Sequence, residues 1–176
     1  MLPIKLDRKV IYESDWISLY ADKVKMPNDC IIEEYHQLHY PHESVCVVIM
    51  NDNDELLMIQ SLRYSTGRLE WEIPAGSVEI NETPEDAARR ECLEETGCTL
   101  KKLKYLCFQN PSNGMSDHLV HAYLAKVDAE SNDFDLNEVS CKKWMKRNEI
   151  MRMLKENEIR CGVSMMALLY ANQFYL

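Results

Sequence analysis

Residues 76–98 read GSVEINETPEDAARRECLEETGC, and both ends of a helix are written into that stretch. Thr83 is an N-cap, Pro84 takes the first helical position where its missing N–H costs nothing, and Asp86 completes a capping-box-like pair. Gly97 is placed to end the helix as a left-handed C′ residue. On either side the pattern is strand. LEWEIPAG, just before, is a strand ending in a Pro-Ala-Gly break, and further strands are predicted over 100–108, 119–127 and 139–145.

Upstream, residues 10–25 and 31–39 alternate loosely among aromatic and β-branched residues, which predicts a short antiparallel sheet. Residues 44–50, SVCVVIM, form a continuous apolar run and hence a buried strand. Residues 51–54 make a turn, and 55–60 return as its hairpin partner. Two amphipathic helices, over 147–155 and 163–173, close the chain. Strands mixed with one internal and two terminal helices indicate an α/β or α+β sandwich. At 176 residues and 46% hydrophobic content, the chain suits one domain with a small appended element.

A formal net charge of -9 argues against a long polyanion as the main partner, because nucleic-acid binding draws on clustered Lys and Arg. A small phosphorylated ligand stays open, provided cations are supplied locally. The seven cysteines include no CxxC pair, as expected of reduced thiols in a cytoplasmic protein. No apolar run approaches membrane-spanning length, so no membrane partner is expected. Residues 51–54 lack the mid-loop Gly and closing Glu of a calcium loop. His36, His39 and His42 lie three apart, and positions three apart on a strand point to opposite faces.

As a plain surface helix, 84–96 is well explained in its first turns, where Glu85 with Arg89 and Asp86 with Arg90 are acid-before-base i,i+4 pairs. The last turn is not. Glu91, Glu94 and Glu95 crowd one patch, where two unit charges about 5.5 Å apart repel by roughly 3 kcal/mol at an effective dielectric of about 20. Glu94 and Glu95 also stand at the end where the macrodipole disfavours anions. Three carboxylates so placed point to a bound cation. Oxygen-only donors suit Mg²⁺ or Mn²⁺ rather than zinc. Gly76 gives the preceding loop freedom to take an unusual backbone conformation or to let a phosphate approach. Metal-assisted hydrolysis fits such a site.

The segment resembles the Nudix box: Gly, five residues, Glu, seven residues, Arg-Glu, aliphatic, any, Glu-Glu, any, Gly, aliphatic. Gly76, Glu82, Arg90, Glu91, Glu94, Glu95 and Gly97 fill its fixed positions at the right spacings, and Cys92 and Cys98 stand at the two aliphatic places. The resemblance implies an α/β/α sandwich with a mixed central sheet. It implies that Glu91 and Glu95 are the principal metal ligands, joined by Glu94 and the Ala75 carbonyl. Arg90 would orient the glutamates, and Glu82 would hold loop and helix together.

IQSLRYSTGRLEWEIPAG is similar to the segment leading into the box in ADP-ribose and nucleoside-diphosphate-sugar pyrophosphatases. Arg63, Trp71, Glu72, Pro74 and Ala75 match that group, whereas Ser61 and Leu62 replace its Gln and Tyr. The likeness marks Arg63, Glu72 and Gly76 as substrate-binding candidates. Trp16 is a further one, as an aromatic that stacks a base. Asn113 and His118 depart from the group's usual Pro and Glu. In the acidic loop before EVSCKKW, Glu138 is the first candidate for an extra ligand or general base and Asp135 the second. Glu94 and Glu95 are the other candidate bases.

The resemblance thus implies an N-terminal β extension over 1–42, which serves dimerisation in relatives, and a Nudix domain over 43–176. The expected reaction is hydrolysis of the pyrophosphate of ADP-ribose or a nucleoside diphosphate sugar by a homodimer. Other Nudix substrates (dinucleoside polyphosphates, NADH, coenzyme A, oxidised nucleotides) are the first alternative, and a non-catalytic nucleotide-sugar sensor is the second. An RNA-end hydrolase is disfavoured by the charge.

Overall fold

The computed structural model describes all 176 residues, which divide into two compact units: Met1–Glu43 with Asn110–Leu119, and Ser44–Gln109 with Val120–Leu176. The first unit carries a three-stranded antiparallel sheet of β1 (Ile4–Glu13), β2 (Ser18–Lys25) and β3 (Ile31–His39), with β2 central. Ser18, Tyr20, Ala21, Asp22 and Val24 of β2 are buried, whereas β1 is exposed along almost all its length. Asp22 is tolerated inside because Arg8, its direct cross-strand neighbour, grips it with Nε and Nη2 at 2.7 Å each. The same guanidinium lies 3.9 Å over the Tyr20 ring. Residues 110–119 join this unit through Leu38 N–H on the Met115 carbonyl (2.8 Å), the Tyr35 hydroxyl on the Gly114 carbonyl (2.9 Å) and His39 beside Asp117.

The second unit is a mixed sheet of β4 (Ser44–Met50), β5 (Glu55–Arg63), β6 (Arg68–Glu72), β7 (Ala75–Ser77), β8 (Cys98–Gln109), β9 (Val120–Glu130) and β10 (Val139–Lys146). Its main order is β10-β5-β4-β9-β8, with β4 and β9 parallel and the other pairs antiparallel. Helix α1 (Pro84–Thr96) covers one face, and α2 (Arg147–Lys155) and α3 (Gly162–Phe174) cover the other. The apolar run of β4 divides between them. Val45, Val47 and Ile49 meet Ala87, Ala88 and Cys92 of α1, while Cys46 and Val48 meet the core of Ile150, Met153, Ala167 and Leu168. This is the mixed-sheet sandwich anticipated above. No helix is long and apolar enough to cross a membrane.

The expected β4–β5 hairpin closes at one pair only, Met50↔Leu56. Beyond it the strands part, β6 pairing with β5 and β7 with β4. The Pro74 break between β6 and β7 bridges that split, its carbonyl accepting from Val47 N–H at 2.9 Å. The parting sets Ala75 and Gly76 beneath α1. The helix ends form as the sequence implies: Asp86 N–H donates to the Thr83 hydroxyl at 3.2 Å, and Gly97 closes the helix at φ 67°.

Candidate active site

An amphipathic helix places apolar residues on its inward stripe, yet the buried residues of α1 are Ala87, Ala88, Glu91, Cys92, Glu95 and Thr96. The two cysteines at aliphatic positions, Cys92 and Cys98, fill the core as small hydrophobes. The two glutamates are another matter, being 9% and 4% exposed in a place where an ionised carboxylate is costly. Glu95 has one partner, the Ala75 N–H at 2.9 Å, and no ion pair. Burial pushes its carboxyl up to about 8; the Ala75 bond opposes this, and repulsion from Glu91 and Glu138 adds to it. Glu91 is likewise raised, by burial first, against the pull of Arg90.

Arg90 organises the loop-helix unit. Its Nε and Nη2 grip Glu82 at 3.0 and 2.9 Å, Nη2 also reaches the Ser77 carbonyl at 2.8 Å, and Nη1 bonds Glu91 at 2.8 Å and Glu94 at 3.0 Å. All five guanidinium N–H groups are thereby engaged. Glu82 passes the hold on by accepting Glu79 N–H at 3.0 Å, and Arg90 keeps its carboxyl below the ordinary value. The anticipated Asp86–Arg90 pair gives way to this network; Asp86 receives the Thr83 hydroxyl instead, while Glu85 and Arg89 pair as expected.

Of the two roles anticipated for Gly76, the unusual backbone conformation is not what the structure shows, and a steric reason stands beside the other. Its φ is not positive, but a Cβ there would lie 2.0 Å from both Cδ and Oε1 of Glu91. The glycine makes room for the carboxylate.

Arg63 and Glu72, on neighbouring strands, form a bidentate pair at 2.9 and 2.6 Å, with Glu72 buried and Arg63 part exposed. That leaves Arg63 Nη1 outside any protein bond. Glu138 lies in the loop 131–138, lining with Glu94, Phe134 and Asp135 an open cleft of about 630 Å³. Asp135 spends its carboxylate on the loop itself, accepting from Asn137 N–H and Nδ2 at 2.8 Å, whereas Glu138 makes no such bond. Trp16, 77% exposed in the turn between β1 and β2, belongs to the first unit; every other candidate belongs to the second.

No three His, Cys, Asp or Glu side chains stand grouped to hold a metal ion, and Glu91 and Glu94 both bond to Arg90. The donor chemistry nonetheless fits a hard divalent cation. It offers two buried, mutually repelling carboxylates, a third at the surface and a backbone kept open by Gly76.

Three residues escaped sequence reasoning. Arg160 holds buried Glu70 at 3.0 Å, the Ser164 hydroxyl accepts Ile73 N–H at 3.1 Å, and Lys142 reaches the end of α1. Each acts across a long sequence separation, and no local spacing announces it.

The NUDIX domain family matches residues 40–163. An ADP-ribose pyrophosphatase of Bacillus subtilis (strain 168) is 34% identical over 134 residues, 74% of this chain and 71% of that protein. A CMP-5'-(N-acetyl-N-hydroxy-3-aminopropyl)phosphonate hydrolase of Streptomyces rubellomurinus (strain ATCC 31215) is 27% identical over 148 residues, 84% of this chain and 71% of that one. Among solved structures, an ADP compounds hydrolase superposes with a TM-score of 0.87 over 99% of this chain and 94% of its own, at 19% identity. At that identity the likeness speaks for the fold.

Proposed function

The chain belongs to the NUDIX family and is a Nudix pyrophosphohydrolase, and we propose that it cuts the pyrophosphate of ADP-ribose or a nucleoside diphosphate sugar. The products would be a nucleoside monophosphate and a sugar phosphate, and the cofactor Mg²⁺ or Mn²⁺. One observation carries the reading: two glutamates occupy the inward stripe of α1, and one of them has no cation of its own. A helix does not keep such a pair for packing.

Glu91, Glu95, Glu94 and the Ala75 carbonyl would hold the ion. When bound, it polarises a phosphoryl oxygen and acidifies the attacking water. Arg90, with every donor engaged, is a positioning residue for Glu91 and Glu94. Glu138 takes the proton from water, favoured over Asp135 because its carboxylate is not bonded within its loop. Arg63 offers its unengaged Nη1 to a phosphate or ribose oxygen, with Glu72 fixing the guanidinium plane. Gly76 admits Glu91, and Trp16 stacks the base. The assembly belongs to the same reading: residues 1–42 serve as a dimerisation extension to the hydrolase domain. In support, β1 leaves Ile4, Leu6, Val10, Ile11 and Tyr12 exposed. The proposed compartment is the cytoplasm.

The test is product analysis with purified protein and Mg²⁺ on ADP-ribose, nucleoside diphosphate sugars, NADH, diadenosine polyphosphates, coenzyme A and nucleoside triphosphates. Glu95→Gln serves as the blank. AMP and ribose 5-phosphate from ADP-ribose, absent with the variant, are expected. Cleavage of another substrate alone moves the assignment within the family. Undiminished turnover by Glu95→Gln overturns the roles given to the α1 carboxylates.

A further inference from the structure

The connection from β9 to β10 must pass β4 and β5, three strand spacings or about 15 Å. Residues 131–138 make that crossing over the C-terminal end of α1. Ser131 N–H donates to the Gly97 carbonyl and Asp135 N–H to the Glu94 carbonyl, both at 2.9 Å. The approach is so close that a Cβ on Gly97 would meet the Ser131 carbonyl at 2.6 Å and the Asp133 carbonyl at 2.9 Å. Yet the loop buries little of itself, every residue but Phe134 being exposed. Hydrophobic burial therefore does not hold it there.

A cation does. The last turn of α1 contains no basic residue while ending in Glu94 and Glu95, so the negative end of its dipole lacks a local counter-charge. Lys142 supplies one from β10. Its Nζ donates to the Thr96 carbonyl at 2.7 Å, to the Ser131 carbonyl at 2.5 Å and to Glu130 Oε1 at 2.9 Å, and lies 5.2 Å over the Phe134 ring. Three donors meet three acceptors: the helix end, the start of the loop and the end of β9. The side chain is only 9% exposed. Glu130 has a second donor in Trp144 Nε1 at 2.9 Å and the Thr96 carbonyl a weak one in the Cys98 thiol at 3.8 Å, but the Ser131 carbonyl takes its side-chain hydrogen bond from Lys142. Downstream, the Asp135 turn docked on Glu94 carries Glu138, whose N–H donates to the Asp135 carbonyl at 3.3 Å.

We propose that Lys142 is a positioning residue for hydrolysis: its ammonium clasps the 131–138 loop to the end of α1 and so holds Glu138 in register with Glu91 and Glu95. The proposal rests on the assignment of Glu138 as the base.

The test uses the full chain with Mg²⁺ and the substrate cleaved fastest, in Lys142→Met, Lys142→Arg, Glu138→Gln and the Lys142→Met/Glu138→Gln double variant. Lys142→Met keeps the buried stem and removes the charge. Its kcat should fall about 10–100-fold, part of what a general base contributes, with KM moving less than about threefold. Lys142→Arg should recover most of the loss. In the Glu138→Gln background, Lys142→Met should cost less than about twofold more, because a residue acting through Glu138 has nothing left to position. Hydrogen exchange should quicken at the Ser131 and Asp135 amides and not in the middle of α1.

Wild-type kcat in Lys142→Met, or a full additive loss in the double variant, overturns the proposal. So do unchanged loop amides, a result independent of any substrate. If the wild type cleaves nothing, the functional reading fails, whereas the exchange experiment still decides whether Lys142 holds the loop. Should Lys142→Met not fold, Lys142→Gln takes its place under the same criteria.

Discussion

A methyl group at position 76 would have to share space with the Glu91 carboxylate. What yields is the far end of a flexible side chain, so Gly76→Ala should cost the fold less than about 1 kcal/mol. The displaced carboxylate is another matter, since a misplacement on the order of 1 Å can cost about 100-fold in rate. The expected outcome is a nearly unchanged melting temperature with activity down by about that factor. Thermal denaturation and steady-state kinetics on one preparation would check it, and a variant of full activity would refute the steric account. The sequence marks this glycine through its spacing to Glu91, but the spacing cannot say what the absent side chain makes room for. Glu91, Glu94 and Glu95 were legible because one helical face collects positions three and four apart. That Arg90 holds two of them, and that Glu95 is left with a single backbone N–H, depends on how β7 passes beneath the helix.

At the level of elements, α1 was readable because Thr83, Pro84 and Gly97 act on their own neighbours, and caps are local chemistry. The β4–β5 hairpin was overstated because an apolar run and a turn identify a strand and a reversal, not how far the two strands pair; the split that admits β6 and β7 is decided by pairing far along the chain. Lys142 illustrates the same limit. It is one of two adjacent lysines on a strand, one of which must face inward, and the sequence does not say which. The N-terminal sheet holds a comparable hidden pair in Arg8 and Asp22. The hydrogen bond from Arg8 holds the Asp22 carboxyl below its ordinary value, against the opposing effect of burial. A depressed folded pKa contributes stability that is present above the unfolded value, about 3.9, and is lost as pH falls through the folded one. Asp22→Asn should therefore unfold less steeply with acid than the wild type below about pH 4, while being less stable at pH 7. Urea titrations at pH 3, 4 and 7 would read both differences. Parallel acid profiles would mean that the pair contributes nothing.

For the whole molecule, the same linkage runs with the opposite sign at α1 and, under the proposed function, would tie folding to a bound cation. In the metal-free protein burial raises Glu95 to about 8, whereas an unfolded glutamate sits near about 4.3. Folding then favours the protonated form, so this contribution to stability is full below the unfolded value and is lost as pH rises through about 8. Glu95→Gln removes the titration and keeps an oxygen for the Ala75 N–H. In chelator, the variant should lose less stability than the wild type between pH 5 and 9, and should be the more stable of the two at pH 9. A divalent ion reverses the order. Bound to the folded state alone, it adds about 2.7 kcal/mol at a hundredfold excess over its Kd, which for a chain of this size is roughly 5–11 °C in melting temperature. The wild type should gain that increment from Mg²⁺ or Mn²⁺ and release protons on uptake below pH 8, and Glu95→Gln should gain little of it. Melting curves at pH 5, 7 and 9, in chelator and in each ion, separate the possibilities. If Glu95→Gln were the less stable protein in chelator at pH 9 and still gained the full increment from metal, the buried carboxylate would be a packing element and the cation would have to bind elsewhere.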